Sequence, residues 1–155
     1  EHFIDGQFST IYLSPRDYHR VHMPCDGQLL TSTYVPGKLF SVNPTTVNAI
    51  DGVFARNERL INIFNTDKGK VAVILVGAML VAGIQTSFQG KITPTPLKTT
   101  QTWHYEQENI YFKRGEELGY FNFGSTVILL FEKNTLQWRS DLKESSALLM
   151  GETLV

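Results

Sequence analysis

The longest apolar run in the chain, Val71 to Ile84 (VAVILVGAMLVAGI), sets the first limit on its fold. A helix that crosses a membrane needs about 20 consecutive apolar residues, whereas a run of about 10–14 is more typical of a buried core element. Gly77 and Gly83 interrupt the run, and much of it is β-branched. It therefore reads as one or two buried strands. Any membrane contact of this segment would be peripheral.

The flanking sequence repeats the β theme. Phe8 to Leu13 (FSTIYL) reads as a strand ended by Pro15, and the stretch to Pro24 is bracketed by prolines. Asp26-Gly27 signals a turn before a strand from Leu29 to Val35, closed by Pro36-Gly37. Asn43-Pro44 predicts a short helix through Asn48 or Ile50, with Asn43 as N-cap and Pro44 at its first position. Arg59 to Asn65 (RLINIFN) alternates and turns through Asp67–Gly69 into Val71, which predicts a hairpin. Thr86 to Ile92 reads as a strand, residues 93–109 as a polar surface loop, and Lys113 to Leu118 as a charged turn. Thr126 to Phe131 is another apolar strand, Leu136 to Trp138 a short one, and Ser140 to Val155 a mixed tail. Short strands with regularly spaced turns predict a mainly β chain, a β-rich α+β fold with a barrel- or sandwich-like core and minor helix.

Size and charge narrow the function classes. A chain of 155 residues with 42% apolar content fits one domain with a real core. A formal net charge of −1 offers no basic surface for nucleic acid. The single cysteine, Cys25, excludes an internal disulfide. Glu1 to Gly6 carries no signal pattern and reads as the middle of a longer protein.

Two segments hold the candidate chemistry. Ser14 to Cys25 (SPRDYHRVHMPC) places His19 and His22 beside Arg16, Asp17, Tyr18 and Arg20. Histidine titrates near neutral pH, and an Asp that orients it completes an acid–base kit. Composition alone favours a blander reading, a polar loop in which Asp17 pairs with an Arg and the histidines are exposed. The three-residue spacing of His19, His22 and Cys25 would align metal ligands on a helix, but the flanking prolines oppose a helix, so no metal is assigned. The second segment is Phe123-Gly124-Ser125-Thr126. Gly-Ser is an ordinary turn dipeptide, and Val127 breaks the G-x-S-x-G hydrolase pattern. A serine hydroxyl can nonetheless attack the preceding carbonyl, where glycine leaves the approach open, provided a base activates it.

Together these segments resemble bacterial-type, pyruvoyl-dependent phosphatidylserine decarboxylases. YLSPRDYHRVHMPCDG (Tyr12 to Gly27) is similar to that family's central motif, and FGST (Phe123 to Thr126) to its LGST cleavage motif. YVPGKLFSVN (Tyr34 to Asn43), FARNER (Phe54 to Arg59), ILVGAMLVAGI (Ile74 to Ile84) and FGSTVILLF (Phe123 to Phe131) follow in the family's order. The resemblance implies a single catalytic domain over 1–155 that lacks an upstream segment. It implies self-cleavage between Gly124 and Ser125 into a β piece (1–124) and an α piece (125–155), with Ser125 becoming a covalent pyruvoyl group. His22 matches the base for cleavage, and His19 the residue for decarboxylation. The family's third cleavage residue, an Asp in an upstream P-x-D-G motif, has no match before Tyr12, and Asp26 aligns elsewhere. Arg16, Asp17, Tyr18 and Arg20 are candidates for holding the histidines or the lipid phosphate. The implied substrate is phosphatidylserine, the implied product phosphatidylethanolamine, the implied assembly a homodimer, and the implied location the cytoplasmic side of the cell membrane, peripherally bound. Two other readings stand beside this one. A β-barrel carrier module would modify Lys68 at the turn Thr66–Gly69, and a serine hydrolase would use Ser125 with His22.

Overall fold

The computed structural model describes residues 1–79 and 83–155. Its strands are β1 (Gln7–Tyr12), β2 (Arg20–His22), β3 (Gly27–Val35), β4 (Arg59–Thr66), β5 (Gly69–Val76), β6 (Ile84–Thr86), β7 (Gly90–Lys91), β8 (Gln101–His104), β9 (Tyr111–Phe112), β10 (Glu117–Phe121) and β11 (Thr126–Phe131). Two short helices, α1 (Pro44–Ala49) and α2 (Val53–Arg56), join β3 to β4. One sheet runs β1-β11-β5-β4-β3-β8, with β9 also on β3, and the other runs β2-β10-β6-β7. The named strands pair antiparallel throughout. The chain is thus mainly β with minor helix, and its sheets stay open rather than closing into a barrel.

The hairpin expected from the alternation of RLINIFN is β4–β5, with Thr66 opposite Gly69. Along β4, Leu60, Asn62 and Phe64 are fully buried and alternate with less buried neighbours, the period-2 pattern of a strand with one face in the core. β5 is buried on both faces over Val71, Ala72 and Val73, as its apolar run requires. It ends at Val76, and the run resumes as β6 at Ile84; Leu80, Val81 and Ala82, within that run, lie outside the described residues. Asn43 caps α1 as expected, its Oδ1 accepting from Thr46 N at 2.8 Å.

Three local expectations are corrected. Thr86 to Ile92 is not one strand but the hairpin β6–β7, turned at Gly90 with φ +77° and closed by Gln89 N donating to Thr86 Oγ1. The polar stretch 93–109 contains the edge strand β8, paired with β3. Leu136 to Trp138 forms no strand; Trp138 instead packs edge-on against Phe131, with ring centroids 5.8 Å apart.

Buried amides tie separate segments together. Asn62 accepts from Ser32 Oγ at 2.8 Å and donates to Val73 O at 3.1 Å, linking β3, β4 and β5. Asn57 is fully buried, accepts from Phe40 N, and donates to Phe40 O and Gly77 O. Asn57→Leu would strand all three backbone groups away from water. It should cost about 2–4 kcal/mol. The measurement is a lowered urea midpoint at unchanged slope.

Candidate active site

The site begins with a turn. Asp17 N donates to Ser14 O at 3.0 Å, and the Asp17 carboxylate accepts from Ser14 N at 2.7 Å. Pro15, with its fixed φ, sits at the second turn position, where such turns favour it. Asp17 is therefore committed to closing this turn. The chain then enters β2 and crosses to β10, where Arg20 faces Tyr120 and His22 faces Glu117.

His22 is held at both ring nitrogens. Nδ1 lies 2.7 Å from Gly115 O, and Nε2 lies 2.8 Å from Tyr18 Oη. A carbonyl only accepts, so Nδ1 carries the proton, and in the neutral ring Nε2 accepts from the Tyr18 hydroxyl. Tyr18 thus reaches back to His22, its ring 5.7 Å away and tilted by 18°. Arg20 places its Nη1 at 2.6 Å from both Glu117 carboxylate oxygens, with its guanidinium 5.1 Å from the Tyr120 ring centroid. The Glu117 carboxylate raises the Arg20 pKa further. Arg16 is exposed and has no ion pair among the described residues. Asp26 turns elsewhere: Arg114 N–H, then Lys113, hold its carboxyl below the usual carboxylate range.

His19 differs from His22. Its carbonyl accepts from Phe121 N at 3.1 Å, which anchors it at the Asn122 end of β10. Its Nε2 is buried yet has no hydrogen-bond partner among the described residues. Buried polar groups are normally satisfied, so an unpaired imidazole nitrogen marks a place where a partner is expected. The residue also lines a cleft of about 410 Å³, together with Asp17, Tyr18, Arg20 and Tyr120–Asn122.

Beyond Asn122 the chain passes through Gly124 into Ser125. Ser125 is fully buried; its carbonyl accepts from Leu13 N at 2.7 Å, and its hydroxyl donates to Val76 O. Gly124 presses against the chain just before the turn, where a Cβ would stand 2.4 Å from Leu13 O and 2.6 Å from Ser14 C. The Gly124–Ser125 bond is thus clamped between the arm that starts the histidine segment and the end of β5. Gly124→Ala would force that backbone apart, an overpacking cost of about 1–3 kcal/mol. It should slow any reaction at this bond about tenfold or more, read as a longer half-life of the uncut chain on a denaturing gel.

The structure therefore brings His19, the Ser14–Asp17 turn and Gly124–Ser125 together at one end of β10. His22 lies toward the other end, on Tyr18 and Gly115. Lys68, the carrier candidate, is exposed at the β4–β5 turn, and that turn is at the end of the large sheet away from Ser125. Sequence reasoning missed the Val76 carbonyl and the Tyr18–His22 pairing. Tyr18 and His22 are four residues apart, a signal only on a helix, and these residues are not helical. Thr126 is likewise fully buried with its hydroxyl unpartnered among the described residues.

A family model described as phosphatidylserine decarboxylase matches residues 1–155. The chain is 51% identical over 152 residues to a phosphatidylserine decarboxylase proenzyme of Coxiella burnetii, covering 98% of this chain and 54% of the relative. It is 50% identical over 154 residues to one of Dechloromonas aromatica, covering 99% of this chain and 55% of the relative. It is 56% identical over 135 residues to one of Francisella philomiragia, covering 86% and 48%. The chain spans about half the length of these curated relatives. On a match that runs through the turn, both histidines and the clamped bond, the chain belongs to the phosphatidylserine decarboxylase family.

Proposed function

We propose that this chain carries the catalytic centre of a pyruvoyl-dependent phosphatidylserine decarboxylase, which cuts itself at Gly124–Ser125 and then converts phosphatidylserine to phosphatidylethanolamine and CO2. The observation that carries the reading is the clamped bond beside an unpaired imidazole. A buried serine follows a glycine whose Cβ would stand 2.4 Å from Leu13 O, and His19 Nε2 stands unpartnered at the same end of β10. A hydrolase reading fits less well, because the Ser125 hydroxyl is buried and directed at the Val76 carbonyl.

Cleavage needs the Ser125 hydroxyl to leave Val76 O, give its proton to a base and add to the Gly124 carbonyl. The amide becomes an ester and frees the Ser125 nitrogen. Loss of the Ser125 α-proton expels Gly124 as a carboxylate, and water then releases ammonia and leaves a ketone at position 125. His22 is the proposed base, through Nε2, the nitrogen that its bond to Gly115 leaves as an acceptor. To act, it must leave the Tyr18 hydroxyl and the chain must bring it from the other end of β10 to Ser125.

The residues fit the mature group: position 125 is enclosed, and His19 Nε2 lacks a partner nearby. The pyruvoyl group, once formed, supplies an electron sink for loss of CO2. His19 is the proposed acid that returns a proton to the substrate carbon after CO2 departs. The Ser14–Asp17 turn holds the approach to His19, and Arg20 stays locked on Glu117, which leaves Arg16 as the cation free to meet a lipid phosphate. A homodimer and peripheral attachment to the cytoplasmic side of the cell membrane belong to the same proposal.

The test is the full-length protein with phosphatidylserine in detergent micelles. Release of CO2 and phosphatidylethanolamine, abolished by hydroxylamine, is the expected result. A fully cleaved protein that leaves phosphatidylserine untouched would overturn the substrate.

A further inference from the structure

β1 and β11 pair as far as Tyr12 and Thr126, and one bond carries the pairing past both strands. Leu13 N donates to Ser125 O at 2.7 Å. The Ser125 nitrogen, which the proposed cleavage releases as ammonia, makes no matching bond to Leu13 O among the described residues. This rung therefore holds residue 125 by its carbonyl, and both of its atoms outlast the cut.

The donor is fixed from both sides. Before it, Tyr12 is locked into β1. After it, Ser14 is closed into its turn, with its N–H on the Asp17 carboxylate at 2.7 Å and its carbonyl on Asp17 N at 3.0 Å. Ser125 is fully buried and Leu13 packs against the core, so the bond lies away from water. In such surroundings a hydrogen bond is electrostatically stronger than in water. A donor already aimed at an oxygen that gains charge costs no reorganisation when the charge arrives.

Two steps of the proposed chemistry send charge to this oxygen. The first is loss of the Ser125 α-proton. The cleavage base has by then passed the hydroxyl proton to the freed nitrogen, and it takes the α-proton in turn. The Cα–H electron pair moves onto the Ser125 carbonyl oxygen. It returns to make a Cα=Cβ double bond as the Cβ–O bond breaks and Gly124 leaves as a carboxylate. The second step is decarboxylation. The bond between the substrate carbon and its carboxylate breaks, CO2 leaves, and the electron pair spreads over position 125 as far as the same carbonyl oxygen. It returns to the substrate carbon with the proton from His19.

We infer that the Leu13 N–H is a catalytic donor used twice, holding the charge that develops on the carbonyl oxygen of residue 125 in self-cleavage and again in decarboxylation. The inference rests on the pyruvoyl reading above. Addition of the hydroxyl to the Gly124 carbonyl charges a different oxygen and does not call on this donor.

The experiment replaces Leu13 in the full-length protein by its α-hydroxy acid, which puts an oxygen in place of the N–H and keeps the side chain. The same exchange at Ile11, which faces Val127 on the same pair of strands, is the control. The two proteins should melt at similar temperatures. The residue-13 protein alone should stall once the hydroxyl has added, with final cleavage slowed about 10²-fold. Hydroxylamine should then cut the stalled chain and leave a free serine at position 125. Once processed, it should release CO2 more slowly by a similar factor, yet capture phosphatidylserine on cyanoborohydride reduction as wild type does. A residue-13 protein that is processed and turns over like the Ile11 control would overturn the inference. So would slow processing without a hydroxylamine-sensitive chain, because the loss would then precede the ester. If the residue-13 protein does not fold, Asp17→Ala decides, since it keeps the N–H but frees Ser14 from the turn. It should accumulate the same hydroxylamine-sensitive chain, and a clean cut would overturn the inference. A wild-type protein that neither cuts itself nor captures an amine defeats the pyruvoyl reading itself, and with it this use of the N–H.

Discussion

Ser125→Ala should leave the full-length protein as one uncut chain, where the proposed self-cleavage should resolve the wild-type protein into two pieces on a denaturing gel. The expected effect is complete, because no other atom at this position can replace the hydroxyl as the group that takes over the Gly124 acyl. The variant should still fold. Its lost contact is the hydroxyl's bond to Val76 O, worth about 1 kcal/mol, while the Leu13 N–Ser125 O bond is made by backbone and survives. A melting curve close to wild type beside a single band therefore separates lost chemistry from lost structure. In the wild-type protein the piece that starts at position 125 should resist Edman sequencing, and its mass should fall short of the serine-ended peptide by one ammonia. A free serine at that terminus would mean that ordinary proteolysis made the cut. An uncut wild-type chain after long incubation would remove the self-cleavage reading.

How much of this was legible beforehand divides along physical lines. The β4–β5 hairpin and β3 were readable because their alternation and turn residues are local properties of the chain. The strand β8 was hidden in a polar stretch, since an edge strand with an exposed and half-buried pattern carries no apolar signature. Leu136 to Trp138 misled in the opposite way: Trp138 packs on Phe131 and Leu136 against the core as a loop, and nothing in the sequence tells a packed loop from a paired strand. The site followed the same division. Ser14 to His22 and Gly124-Ser125 were readable as contiguous motifs. That Gly124 needs to be glycine because Leu13 O stands behind it, and that Asn57 bolts Phe40 to Gly77, are facts of contact between distant segments. By residue type the two histidines looked alike and only the family resemblance gave them different roles; the contacts around β2 and β10 separate the satisfied ring of His22 from the unpartnered Nε2 of His19.

That separation makes the histidine pair the sharper test. His22→Ala should block cleavage, leaving the uncut chain as the main species after times in which wild type is fully processed. Loss of a general base slows a step by about 10²–10⁴-fold. His19→Ala should allow cleavage and then lose decarboxylation by a similar factor, because no proton donor replaces it at the substrate carbon. Tyr18→Phe refines the assignment. It removes the hydroxyl held by His22 Nε2, so a ring that must exchange partners before acting should act sooner, and cleavage should keep its rate or gain. The opposite outcome has a definite structural meaning. His19 Nε2 is already unpartnered, and its backbone is tied to Phe121, close in the chain to Ser125. If His19→Ala leaves the chain uncut while His22→Ala is processed normally, the base for cleavage is His19. The bonds from His22 to Tyr18 and Gly115 would then serve to hold β2 against the turn before β10.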